Sequence, residues 1–215
     1  MRKKLLVIGC ILLAGCASTA PVPHESLPSS TQLQTNPQDK DGRVPYVYAV
    51  PGVEWRRYTN VMVDPVAIYH GTDAQFKSTT EADRDAIAAY MQGQFTDVLK
   101  GHYTIVQVAA PDTLRIHLTL TGIATSTPVL AALTKISPAG LVINTVNNLQ
   151  GRPAILTGSV SYAVDIYDST SSRLLRAYTA WQYPGAENIA ASFGALGAAK
   201  AGVRNGAQSL LAQLQ

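Results

Sequence analysis

An α+β domain, built as a two-layer sandwich of a mixed, mostly antiparallel sheet with helices packed on one face, is predicted by three observations. Leu114, Ile116, Leu118 and Leu120 alternate with Arg115, His117, Thr119 and Thr121, the period-two pattern of a strand with one buried face. Thr80 precedes Glu81, Asp83 and Asp85, and Ile87, Tyr90, Met91, Phe95, Val98 and Leu99 follow at helical spacing. Near the C-terminus Val203, Leu210, Leu211 and Leu214 fall close to one helical face.

Along the chain, residues 16–45 read as a flexible tether, rich in Ser, Thr, Gln and Pro and nearly free of large aliphatics. The remaining 46–215 suffice for one domain with its own core. Val61 to Tyr69 predicts one bent strand, interrupted at Asp64-Pro65 because proline lacks the ladder donor. The helix over 81–100 follows, with a hydroxyl cap and early carboxylates at the positive end of its dipole, and with Lys100-Gly101 at its close. Tyr103 to Val108 is a short β run that turns at Ala110-Pro111-Asp112 into the alternating strand.

Residues 128–133 and 141–146 read as two short helices separated by Ser137-Pro138-Ala139-Gly140. Such an apolar insertion serves either as a lid over the core or as a docking surface. A second hairpin runs from Ile155 to Tyr167, turns over Asp168 to Ser172 and returns from Leu174 to Tyr183. The final helix spans roughly 196–214. Small residues recur every fourth position at Ala190, Gly194, Ala198, Gly202 and Gly206, a stripe that permits close backbone approach. Two uses follow for it: packing on the sheet, or contact with a second copy in a homo-oligomer through Gly194, Ala198, Gly202 and Gly206.

The N-terminus carries an address. Arg2, Lys3 and Lys4 precede a nine-residue apolar run from Leu5 to Leu13, far short of the ~20 residues that cross a bilayer. Leu13-Ala14-Gly15-Cys16 then resembles the lipobox of bacterial lipoproteins. That resemblance implies that residues 1–15 are a cleaved signal peptide and that Cys16 is lipidated, palmitate included, giving a firm anchor. An ordinary signal followed by an incidental cysteine is the alternative. Removing the signal takes Arg2, Lys3 and Lys4 from the chain's 17 basic residues and leaves 14 against 14 acidic ones. A neutral mature domain carries no polybasic footprint, so nucleic acid is not an expected partner. With Cys10 removed and Cys16 modified, no disulfide or cysteine-based metal site remains.

Catalytic patterns are not evident. The sequence has no Gly-x-Ser-x-Gly elbow, His-Glu-x-x-His, Ser-x-x-Lys or phosphate loop. His24, His70, His102 and His117 lie apart from one another, and surface roles suit them best. Asp64 and Asp168 read as turn or bulge formers. No enzyme activity, metal or cofactor is therefore expected. One face does stand out: Arg115, His117, Thr119 and Thr121 on one strand, beside Thr157, Ser159, Ser161 and Asp165 on the other. It is either solvated sheet surface or, through Arg115, His117 and Asp165, a binding face.

The lipobox, the Val-Asp64-Pro65-Val segment, Pro111-Asp112-Thr113-Leu114-Arg115 and the Asp168 hairpin together resemble the bacterial lipoproteins of domain-of-unknown-function family 3313, over nearly the whole mature chain. The family implies no established activity, only an outer-membrane lipoprotein. The expected function is a non-catalytic accessory or assembly protein, lipid-anchored in the outer membrane and facing the periplasm, with an envelope protein as partner. The second expectation is a periplasmic module that binds a small ligand or cell-wall fragment.

Overall fold

The computed structural model describes residues 24–125, 158–184 and 194–215. Its elements in chain order are β1 (Gln34–Thr35), β2 (Tyr46–Ala49), a 3-10 turn at Trp55–Arg57, β3 (Asn60–Val63), β4 (Ala67–Ile68), β5 (Gln75–Lys77) and α1 (Glu81–Lys100). They continue with β6 (Thr104–Ile105), β7 (Thr113–Ala124), β8 (Ser159–Asp168), β9 (Leu174–Gln182) and α2 (Gly197–Gln213). The expected helices at 128–133 and 141–146 lie outside the described residues.

The sheet is mixed and open, in the order β1-β2-β9-β8-β7-β3-β6, with β4 and β5 also paired to β7. The long hairpin partners β7, β8 and β9 are antiparallel, whereas β3, β4 and β5 lie end to end along the other side of β7, all parallel to it. The single bent strand expected over 61–69 is thus two strands. Pro65 ends the ladder after the Asp64 N–H donates to Ile116 O (3.0 Å), and pairing resumes at Tyr69 N–H to Leu120 O (2.9 Å). Between them Val66 N–H turns aside to Gln92 Oε1 on α1 (2.8 Å). A second correction concerns the turn at Ala110-Pro111-Asp112. It does not close a hairpin, because β3 lies between β6 and β7 and is parallel to both.

Helix α1 begins as its sequence requires. Thr80 Oγ1 accepts from Asp83 N–H (3.1 Å) and the Asp83 carboxylate accepts from Thr80 N–H (3.0 Å), closing a capping box that stabilises the helix by about 1 kcal/mol. Both helices lie on one face of the sheet. Ile87, Met91, Phe95 and Leu99 of α1, with Val203, Ala207 and Leu210 of α2, are buried against Leu114, Ile116, Leu118 and Leu120 of β7 and against Val160, Tyr162, Val164 and Ile166 of β8. Phe95 meets Tyr162 edge-on at 5.7 Å.

The small-residue stripe of α2 serves this packing. A Cβ at Gly202 would lie 2.9 Å from Gln182 O, and one at Gly206 would fall on the Tyr162 hydroxyl. Ala198 is also buried, while Gly194 precedes the helix with a positive φ. Gly202 and Gly206 are where the helix backbone meets the sheet, so these two positions of the stripe are taken up by packing within the chain.

The tether expectation also changes for residues 24–45. β1 pairs with β2, β2 pairs with β9, and His24, Leu27 and Ser29 are buried. Polar composition misled here because the segment's hydroxyl and imidazole groups find buried partners on the sheet.

Candidate functional site

The sheet face opposite α1 and α2 carries the polar residues Arg115, His117 and Asp165, and residues 24–33 lie across it as a strap. The strap is folded by its own turns, with Ser30 N–H to Leu27 O (3.1 Å) and Gln32 N–H to Ser29 O (2.9 Å). Its first attachment is Leu27, which packs with Tyr69 and Ala163 in a small apolar cluster separate from the main core. Its second is Ser29, whose hydroxyl donates to Asp165 Oδ1 at 2.6 Å. The third is His24, tilted against the Tyr69 ring at 4.8 Å with Nδ1 3.2 Å from Asp73 Oδ2. Tyr69 donates its hydroxyl to Asp73 (2.6 Å) and accepts from Ser26 N–H (3.3 Å), which ties strap and sheet into one network.

Burial sets the protonation of this network. It lowers the pKa of His24, against the opposing pull of Asp73. Burial also raises Asp73, but the Tyr69 hydrogen bond, backbone donors and His24 outweigh it and hold that carboxyl below its usual range. Asp165 is 2% exposed, and desolvation pushes its pKa up despite the Ser29 hydrogen bond and nearby His117.

Beside the strap, Asp64 is the centre of a second cluster. Arg115 Nε donates to both its oxygens (3.2 and 2.9 Å), and His117 Nε2 lies 2.5 Å from Oδ2. His117 faces Asp165 across the β7–β8 ladder and leans on the Tyr167 ring at 4.9 Å. Strap, β7 and the 64–71 segment enclose a cleft of about 600 Å³, walled by Ser26, Leu27 and Pro28 on one side and Pro65, Ile68, Tyr69 and His70 on the other. Asp64, His117 and Thr119 line its floor. A smaller hollow of about 230 Å³ opens on the far side of His117, between Arg115, Tyr167, Asp168 and Ser172.

Arg115, His117 and Asp165 are therefore brought together as the alternation implied. Asp165 lies beneath the strap and not at an exposed face. Thr121, Ser159 and Ser161 are buried as well, and the strand register shifts between Leu120 and Gly122, so the expected wet face does not extend along the strands. Cys16 and Thr157 lie outside the described residues. Asp168 is a turn residue as read, accepting from Ser171 N–H (2.9 Å), and it also accepts from Tyr58 (2.9 Å). Sequence reasoning missed Ser29, Tyr69 and Asp73, and it saw in Asp64 only a turn or bulge former. The available signal was an acid before Pro65, on a segment that runs alongside a strand carrying Arg115 and His117 two apart.

Chemically, the cleft is a set of balanced ion pairs and hydroxyls. Asp64 is held by Arg115 and His117, and no serine hydroxyl donates to an imidazole among the described residues. Among the described residues no group of three or more His, Cys, Asp or Glu could hold a metal ion, and no helix is long and apolar enough to cross a membrane.

The architecture defines an α+β domain whose polar sheet face is strapped by its own N-terminal segment. The chain belongs to the family described as a protein of unknown function, DUF3313, which matches residues 24–210. No curated protein matches it. Among solved structures it is similar to a dodecameric PelC variant from Paraburkholderia phytofirmans, with 12% identity, 79% of this chain and 94% of that chain covered, and a TM-score of 0.41. It is also similar to a protein of family DUF330 from Xanthomonas campestris, with 10% identity, 76% and 88% covered, and a TM-score of 0.39. Likenesses this distant carry no argument about function.

Proposed function

We propose that this chain is a non-catalytic accessory lipoprotein of the cell envelope, anchored in the outer membrane through lipidated Cys16, facing the periplasm and working through contact with another envelope protein. The observation that carries the reading is the lipobox-like Leu13-Ala14-Gly15-Cys16, which stands eight residues before the first buried strap residue, His24. Eight extended residues reach at most about 28 Å, so the strap and its cleft stay close to the anchored sulfur and do not search from a long tether. Asp64 is already engaged by both Arg115 and His117, an arrangement that supports a recognition role. Labelled palmitate and membrane fractionation test the reading. The native chain incorporates label and sediments with outer membrane, whereas Cys16→Ser does neither; a Cys16→Ser chain that still fractionates there contradicts it.

The cleft favours a second reading, that of a binding module for a small ligand or cell-wall fragment. A volume of about 600 Å³ falls within the ordinary range for small-ligand sites, with apolar walls and a few convergent polar groups.

A further inference from the structure

The chemistry of the cleft narrows what it can hold. Its acidic groups already have partners: Asp64 is paired with Arg115 and His117, and the neighbouring Asp73 accepts from the Tyr69 hydroxyl and lies against His24. A charged ligand would have to displace a partner and leave a carboxylate or guanidinium unpaired, which is strongly unfavourable in a partly buried site. A peptide strand fares no better along the 64–69 wall. Pro65 has no N–H, and the N–H groups of Asp64, Val66 and Tyr69 are taken by Ile116 O, Gln92 Oε1 and Leu120 O. An extended peptide would find few main-chain donors there to pair with.

Beside these paired groups the cleft presents a two-sided surface. Leu27, Pro28, Pro65 and Ile68 offer C–H faces, while Thr119, Ser26 and the remaining lone pairs of Asp64 offer hydroxyl and acceptor groups on the floor and rim. A ligand that carries hydroxyl donors around an apolar ring face is complementary to both. We propose that the cleft between the strap and the 64–71 segment binds a neutral saccharide of one or two rings, with sugar hydroxyls on Asp64 and Thr119 and the ring face against Pro28 and Pro65. This inference rests on the binding-module reading and adds its ligand class.

The test is NMR titration of the full chain, observing the imidazole resonances of His117 and His70, with cellobiose and N,N′-diacetylchitobiose as neutral probes. Spermidine and inorganic phosphate serve as charged probes and triglycine as a peptide. Saturable shifts of His117 are expected with at least one disaccharide and with none of the other three. Thr119→Val, which removes one hydroxyl at constant shape, weakens the response about fivefold, the effect of one neutral hydrogen bond. Saturation by spermidine, phosphate or triglycine, with neither sugar acting, overturns the ligand class and leaves the binding reading standing. Silence from every probe to 10-fold above a typical millimolar affinity, on the order of 10 mM, overturns both. The envelope reading is unaffected in either case, since fractionation tests it separately. An unchanged response in Thr119→Val together with a folded spectrum also contradicts the assignment to this cleft.

Discussion

Ser29 donates a 2.6 Å hydrogen bond to Asp165 across 136 positions of sequence, joining a segment with the composition of a linker to a buried carboxylate in the middle of the sheet. The bond makes the strap a structural part of the domain. It also determines what lies within reach of the 64–71 segment, because Ser26, Leu27 and Pro28, just before Ser29, form one wall of the cleft.

Removing that hydroxyl leaves a buried acceptor short of its partner. Ser29→Ala is expected to lower unfolding free energy by about 1–3 kcal/mol, the penalty for an unsatisfied buried polar group. Urea denaturation measures it. Asp165→Asn, which removes the charge, should make the serine substitution less damaging, so the double variant loses less than the sum of the two single ones.

His24 makes the strap sensitive to acid. Its pKa is lowered on folding, mainly by burial, so the unfolded chain takes up a proton near its ordinary value while the folded chain still resists it. The contribution of His24 to stability is complete above about pH 6.5 and is lost as pH falls from there through the folded pKa. Asp165 has the opposite sign. Its raised pKa means that stability grows as pH falls through the folded value towards the ordinary carboxylate range. Thermal melts of the native chain and His24→Gln between pH 7.5 and 5 separate the two, because only the native chain should carry the loss below pH 6.5.

Two glycines, each inside a helix, should respond oppositely to alanine. Gly93 in α1 has nothing within 4 Å of an added Cβ, so Gly93→Ala is expected to stabilise the helix by about 1 kcal/mol. Gly202 in α2 would bring its Cβ to 2.8 Å from Val160 Cγ1 and 2.9 Å from the Gln182 carbonyl. Overpacking of about 1–3 kcal/mol then outweighs the propensity gain, and Gly202→Ala should melt lower than the native chain.

The cap of α1 gives a smaller, local effect. Thr80→Ala removes the hydroxyl that accepts from Asp83 N–H and should lower stability by about 1 kcal/mol without altering the cleft. Asp83, whose pKa is held down by backbone and then side-chain hydrogen bonds from Thr80, should titrate closer to its ordinary value in that variant, as read by carboxyl NMR shifts.

The elements that sequence makes legible are those with their own periodicity. Alternation along Leu114 to Leu120 marks β7, and the helical spacing from Ile87 to Leu99 behind Thr80 marks α1. The short strands β2, β4 and β5 have too few residues to show a period, and they form because β7 and β9 offer edges to pair with. The site divides the same way. Arg115 and His117 share a face by alternation alone, and Asp165 joins them through hairpin register. Ser29, His24, Tyr69, Asp73 and Asp64 enter through long-range contacts, which local pattern does not encode. The strap escaped notice because its attachments are a single leucine, a hydroxyl and an imidazole, not a run of apolar residues.

Hydrogen–deuterium exchange of residues 24–33 in the full chain tests the central claim most directly. If the strap lies on the sheet, amides such as those of Ser30, Gln32 and Leu33, which bond within its turns, are protected, and Ser29→Ala speeds their exchange more than that of α1. Exchange of these amides at the rate of a free peptide in the native chain would show a tether in place of a strap and would remove one wall of the cleft.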